Sequence, residues 1–408
     1  MGTSTESRSG ADWELLRACA AARCDAARIR ALVQRAPSGP ELLTLAREHG
    51  VLPLLAKALE TAGALEELPT ELRQSLRESR RAHLVFTLSL TAELFRLAGR
   101  LEAEGIESVA VKGPVLAAQA FGDAGLRQYS DLDLLVRHCD ILRAARVMKE
   151  CGFTAPHALA AAAGKIPGQF LFLRERPRAI VELHTESTLR YFPRRFPVDA
   201  FFARRSSVVL GGRSVPALSP EDTLVFICVH GSKHYWGRLL WIADVAGILA
   251  RPAALDWPWV FAAARETGTE RMLHLGLRLA RDVLRAELPP AVAAAVLADR
   301  SAARLAARAC AQLPSAQEAA GGAFRRARTR MQMCGGALRS VGYLLRLAFT
   351  PTEEDWGGPQ QGKTGGRLSA LLRPLRLARK YRTARGAPAG GDAAQQAEAS
   401  PERKKARA

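Results

Sequence analysis

The chain has 408 residues, of which 59 are Lys or Arg and 40 are Asp or Glu, for a net charge of +19. That length exceeds the usual single domain of roughly 100–200 residues and predicts two or three structural units. With 48% hydrophobic and 24% charged residues, the composition excludes a fibrous or wholly disordered chain, and no run approaches the ~18 uninterrupted apolar residues of a membrane span.

The first residues, Met1 to Leu16, lack the basic-then-apolar layout of a secretory signal, and Glu6 stands where a myristoylation pattern wants Ser or Thr. A cytoplasmic location is expected. The cysteines (Cys19, Cys24, Cys139, Cys151, Cys228, Cys310 and Cys334) are odd in number and contain no C-x-x-C pair, so reduced thiols are expected rather than a disulfide frame or a zinc ribbon. Fifty of the 59 basic residues are Arg, which reads first as a coding bias. Residues 301–408 hold 20 basic and 7 acidic residues, so the positive excess concentrates at the C-terminal end. It can attract phosphate-bearing partners there, nucleic acid among them, although a solvated basic tail is the simpler reading.

In chain order, residues 12–105 read as helical, with Ser38-Gly39-Pro40-Glu41 as a capping-box start. From Thr70 to about Glu104 the apolar residues Leu84, Phe86, Leu88, Leu90, Leu94, Phe95 and Leu97 recur at helical spacing and predict one long helix, or two with a break. The texture changes at Ile106. Val109-Ala110-Val111, Leu132 to Val136 and Ala179 to Leu183 are strand candidates, with helices predicted at Pro114 to Phe121 and Asp140 to Cys151. Ser219-Pro220-Glu221-Asp222 is another helix start, and helical patterning continues to about Thr350. Residues 357–366 form a Gly-rich link, Arg367 to Thr383 a basic amphipathic helix, and the composition beyond is that of a disordered segment.

The fold class expected is α+β, a small mixed-sheet core embedded in a largely helical chain. The expected divisions are an N-terminal helical region (1–105), the α+β core (106–210), a C-terminal helical domain (211–350), the link and basic helix (351–383) and a disordered basic tail (384–408).

The chemistry-bearing stretch is Val111-Lys112-Gly113-Pro114 followed by Arg127 and Ser130-Asp131-Leu132-Asp133. A strand that ends in Gly before a helix offers backbone N–H groups at a positive helix end, a phosphate site to which Lys112 adds a full charge. Asp131 and Asp133 are two apart on a strand and share one face, where two carboxylates repel unless a divalent cation sits between them. Oxygen ligands select Mg²⁺ or Mn²⁺. Glu182, on the third candidate strand, supplies a further carboxylate; the alternative is that His184 faces the site. Arg127 is expected to bind triphosphate bidentately, or else to pair with Asp123. His230 and His234, four apart on one helix face, have no third ligand with matching spacing, so they are expected to line the substrate side of the cleft or to bond Asp244 rather than to hold zinc. Trp236 and Trp241 read as helix-packing core.

Val111-Lys112-Gly113, Phe121-Gly122-Asp123, Arg127, the Ser130 to Val136 block and Val181-Glu182-Leu183-His184, with Pro220, His230, His234, Trp236, Trp241 and Asp244 further on, make the chain resemble the uncharacterised nucleotidyltransferase family of the polymerase-beta-like superfamily. The resemblance covers roughly residues 80–250 well. It implies a metal-dependent transferase in which the strand–turn–helix holds a nucleoside triphosphate through Lys112, Gly113, Arg127 and Ser130. Asp131, Asp133 and Glu182 would be its catalytic metal ligands, and the acceptor is unassigned. The superfamily's usual turn is Gly-Ser or Gly-Gly; Pro114 here removes one N–H donor and brings no hydroxyl. The competing expectation is a non-catalytic nucleotide-, nucleic-acid- or partner-binding protein, antitoxin-like or accessory to a pathway.

Overall fold

The computed structural model describes residues 2–35, 39–155, 159, 168–186, 198–251, 254–315 and 323–349. Ser38 of the expected capping box, the stretch 351–356, the link at 357–366, the basic helix and the tail lie outside them. Four helices open the chain: α1 (Gly2–Ala20), α2 (Ala26–Val33), α3 (Pro40–Glu48) and α4 (Leu52–Thr61). Pro occupies the first turn of both α3 and α4, where a missing N–H costs no helical bond.

Helix α5 (Thr70–Ala103) is a single 34-residue helix. Its two ends serve different cores: Leu72 and Leu76 join the helical N-terminal core, while Leu90, Leu94, Leu97 and Leu101 cover the sheet. The middle meets the turn at 124–126 through His83, whose Nε2 lies 3.1 Å from the Gly125 carbonyl oxygen, and through buried Thr87, and turns its other side outward. Leu84, Phe86 and Leu88, part of the periodic pattern that predicts the helix, are therefore exposed. Gly105 ends the helix with φ +66°, and the N–H of Ile106 returns to the carbonyl of Leu101 at 2.9 Å, the left-handed closure that glycine favours.

The chain then builds β1 (Ser108–Ala110), α6 (Pro114–Phe121), β2 (Leu132–Val136), α7 (Ile141–Glu150), β3 (Gln169–Arg174), β4 (Ala179–His184), α8 (Val198–Ala203), β5 (Ser206–Leu210) and β6 (Arg213–Ala217). The strands form one sheet in the order β3-β4-β2-β1-β6-β5. β2 runs parallel to β4 and β1 parallel to β6, while the β1–β2, β3–β4 and β5–β6 pairs are antiparallel. This mixed sheet in a helical chain is the α+β class expected. The sheet continues to Ala217 through a hairpin turning at Gly211 and Gly212, both left-handed.

Alternation along β2 assigns each side chain to one of two cores. Leu132, Leu134 and Val136 turn toward α5 and α7, with Leu97, Leu101, Ile141 and Met148 against them. Leu135 turns the other way, into the larger core that includes Val109, Val111 and the C-terminal helices. Asp131 and Asp133 share the face of Leu135 by the same alternation.

The second helical region comprises α9 (Pro220–Lys233), α10 (Leu239–Leu249), α11 (Trp257–Thr267), α12 (Glu270–Leu284), α13 (Pro290–Ala298), α14 (Arg300–Gln312), α15 (Ala323–Cys334) and α16 (Ala337–Phe349). Ser219 caps α9, its hydroxyl accepting from the Asp222 N–H at 3.1 Å. α10 is buried along most of its length and packs on α6 and α12. Gly247 permits the α6 contact, because a Cβ there would stand 2.8 Å from the carbonyl oxygen of Ala120. All seven cysteines are free thiols. Among the described residues no helix is long and apolar enough to cross a membrane.

Candidate active site

The site forms where β1, β2 and β4 end beside the first turn of α6. β1 gives way to Val111-Lys112-Gly113, and the N–H of Val111 still bonds the Asp133 carbonyl at 3.1 Å, which ties the turn to β2. Gly113 adopts φ 62°, ψ −133°, a region essentially closed to residues with a Cβ. A Cβ there would also meet the Asp131 carbonyl oxygen at 3.4 Å. The glycine is therefore required by backbone shape, and Pro114 follows at the first helical position with φ already set.

Asp133 lies directly opposite Glu182 in the parallel β2–β4 register. His184, two residues along β4, shares that face. Its Nε2 is 3.0 Å from Asp133 Oδ1 and 3.2 Å from Glu182 Oε2, and Lys112 Nζ reaches Asp133 Oδ1 at 2.7 Å. Asp133, Glu182 and His184 each offer a ligand atom within 4.8 Å of the others, a set that could hold a metal ion. Asp131 sits on the same face at the start of β2, half-buried; it is not one of that compact set, but its charge acts on Lys112 and Arg127. Ser130 is exposed beside it.

The electrostatics follow from burial opposed by partners. Burial pushes the Asp133 carboxyl up, yet Lys112 and His184 together hold it well below the usual carboxylate range. Glu182 is likewise lowered against its burial, chiefly by His184. Burial pulls Lys112 and His184 down, and the surrounding carboxylates outweigh it: Asp133, Asp131 and Glu182 raise Lys112, while Asp133 and Glu182 raise His184. The carboxylates of Asp133 and Glu182 are thus paired with Lys112 and His184 rather than left to repel one another. The donor set suits a divalent cation, with two carboxylates and an imidazole converging and His184 Nδ1 buried without a hydrogen-bond partner among the described residues.

Arg127 departs from the expectation of a phosphate-binding cation. It is buried and gives two hydrogen bonds to Asp244 of α10, Nε to Oδ1 at 2.9 Å and the second to Oδ2 at 3.0 Å. The reason is geometric: α6 packs on α10, the turn after α6 carries Arg127 within reach of Asp244 for a bidentate pair, and a guanidinium without one would be a costly buried charge. Asp123 instead caps the following turn by accepting from the Gly125 N–H, and Asp244 is engaged by Arg127 rather than by a histidine.

His230 and His234 pack with Trp241, at ring-centroid distances of 4.7 Å between the histidines and 5.0 Å from His234 to Trp241. Burial, then nearby cations that include Lys112, hold both imidazoles well below their ordinary pKa. They are neutral rings on the Lys112 side of the sheet. Trp236 is the core residue expected, 1% exposed, its ring against Gly231 and Gly276. Tyr235 and Trp236 both take left-handed backbone (φ 56° and 58°), a strained pair held in place by the buried indole.

His184 is the residue whose place the sequence understated. Its spacing of two from Glu182 on a strand was the available signal, and it puts both side chains in the cage rather than one or the other.

A mixed sheet that presents D-x-D and E-x-H from neighbouring parallel strands behind a strand–Gly–helix turn has the organisation of a nucleotidyltransferase core. Residues 38–285, more than half of the chain, match the family described as Uncharacterised nucleotidyltransferase, and the chain belongs to it. It is also similar to the crystal structure of an antigenic nucleotidyltransferase-like protein from Paracoccidioides brasiliensis, at 17% identity over 52% of this chain and 95% of that one, with a TM-score of 0.29. No curated protein sequence matches the chain.

Proposed function

We propose that the protein transfers a nucleoside monophosphate from a nucleoside triphosphate to an acceptor, with pyrophosphate as the leaving group. The observation that carries this reading is the Asp133–Glu182 pair in parallel register beside the Lys112-Gly113 turn. Asp131, Asp133 and Glu182 would hold Mg²⁺ or Mn²⁺, with His184 as a further ligand once its imidazole is neutral. A divalent cation there supplies charge neutralisation and a lowered acceptor pKa.

The protein's own groups have distinct parts in this reading. Lys112, at the mouth of the turn, meets the charge of the triphosphate. Glu182 keeps 23% of its side chain exposed against 1% for Asp133, which makes it the carboxylate able to accept the acceptor's proton. The acceptor oxygen or nitrogen bonds to the α-phosphorus, the bond to the bridging oxygen breaks, and pyrophosphate departs. Arg127 acts as a positioning residue, fixed by Asp244 with its charge felt at Asp131 and Asp133. His230 and His234 lie on the substrate side as neutral rings.

One observation favours a second reading. Lys112 and His184 already occupy the carboxylates of Asp133 and Glu182, as a non-catalytic nucleotide- or partner-binding protein would allow. Pyrophosphate release from ATP, GTP, CTP and UTP with Mg²⁺ or Mn²⁺ separates the two. Metal-dependent release with at least one triphosphate, with water as the acceptor and lost in Asp133→Asn, supports transfer; nucleotide bound without metal, and equally by the wild type and Asp133→Asn, supports the second.

A further inference from the structure

We propose that α16, with the arginine-rich α15 before it, docks on the anionic surface of a lipid bilayer. The inference is independent of the transferase reading and rests on a helix that is apolar on two opposite sides. Tyr343 is 1% exposed and Leu347 packs against the large core, so that side of α16 belongs to the fold. On the opposite side Leu338, Val341, Leu345 and Phe349 recur at intervals of three and four and remain 90%, 54%, 56% and 47% exposed. At 1.5 Å per residue this stripe runs about 16 Å along the helix. A continuous apolar stripe left in water marks an interaction surface.

Charge selects the occupant. Residues 323–349 contain six arginines and no Asp or Glu; Arg330 lies over the Tyr235 ring, while Arg328 and Arg339 are exposed, the latter with Leu338 beside a hollow that Glu270 and Asp299 also line. Arg339 and Arg346, seven residues apart, flank the stripe along one side. Leucines backed by arginines form the pattern of a helix that lies in a membrane interface, its apolar side chains entering the acyl boundary and its guanidinium groups reaching the headgroups. No described helix can cross a membrane, so the contact is with the surface.

The other occupants fit less well. A second copy would bring two arginine-rich, acid-free segments together. The remaining chain, residues 350–408, holds 12 basic and 6 acidic residues and would also bring positive charge to positive charge. Nucleic acid would satisfy the arginines but leave three aliphatic side chains of the stripe unburied, where base contact wants aromatic stacking.

The full chain would be co-sedimented with vesicles of phosphatidylcholine alone and of phosphatidylcholine mixed with phosphatidylglycerol. The proposal expects at least about tenfold stronger binding to the mixed vesicles, weakened by salt. Leu338→Glu/Leu345→Glu should abolish binding while leaving the circular dichroism and Tm unchanged; should that pair unfold, Leu338→Ser/Leu345→Ser serves instead. Arg328→Gln/Arg339→Gln, at two exposed sites, should reduce the preference for anionic vesicles. Absence of vesicle binding, equal binding to neutral vesicles, or unaltered binding by the leucine variants would overturn it. So would a wild-type dimer, or an RNA complex formed in preference to vesicle binding, that the leucine variants abolish.

Discussion

Asp133 and Glu182 face each other in parallel register, and a single imidazole nitrogen, His184 Nε2, lies 3.0 Å from one carboxylate and 3.2 Å from the other. Asp133→Asn keeps the shape but removes the charge shared by Lys112 and His184. Loss of an outer partner of a metal site costs about 10–100-fold in affinity or activity, so loss of this inner one should lower nucleotidyl transfer by more than ~100-fold. Steady-state pyrophosphate release measures it, and a decrease of less than about tenfold would remove Asp133 from the site.

The Arg127–Asp244 pair ties the β2 approach to α10 with both side chains buried, 6% and 3% exposed. Asp244→Ala strands a guanidinium in the interior and should destabilise the protein by about 3–5 kcal/mol. Urea unfolding at neutral pH tests this. A loss below about 1 kcal/mol would mean that water reaches Arg127 and replaces its partner.

Gly113→Ala should be worse than an ordinary glycine replacement. Its ψ of −133° lies outside the left-handed helical well, so the backbone strain costs about 2–3 kcal/mol. Gly63, at φ +66° with open space around it, is the control, and alanine there should cost about 1 kcal/mol. Equal Tm losses in the two variants would contradict the requirement at Gly113.

His49 links the N-terminal helices to α10, its Nδ1 accepting the Leu239 N–H at 3.1 Å. Burial, the leading cause, lowers its pKa from 6.5 to about 4. The unfolded chain therefore binds the extra proton first as pH falls, and stability present above about 6.5 is lost on the way down to about 4. The shift corresponds to about 3 kcal/mol. Urea midpoints at about pH 7 and pH 5 should differ less in His49→Asn than in the wild type, and equal differences would show that His49 does not set the acid limb.

The strands that carry the chemistry were legible because their patterns are local. The apolar run after Asp131 and the alternation at Val181-Glu182-Leu183 mark β2 and β4, and a period of two puts their acids on one face. The outer strands were less so. β3 runs into turn-rich residues that mask it, and β5 and β6 needed the Gly211-Gly212 turn to be read as a hairpin. Arg127 and Asp244 are 117 residues apart, and no local pattern announces a partner at that distance. The exposed middle of α5 shows the converse. Leu84, Phe86 and Leu88 keep the helical period, but no packing element reaches all of them.

Asp131 and Asp133 at the start of β2 and Glu182 on β4 are proposed to hold a metal–triphosphate complex. Thermal unfolding of the full chain with Mg²⁺ or Mn²⁺ and each of the four nucleoside triphosphates, in the wild type and in Asp131→Ala/Asp133→Ala, tests it most directly. Tm should rise only when metal and triphosphate are present together, and the rise should disappear in the double variant. A rise of the same size in the double variant, or none in the wild type with any triphosphate, would contradict it.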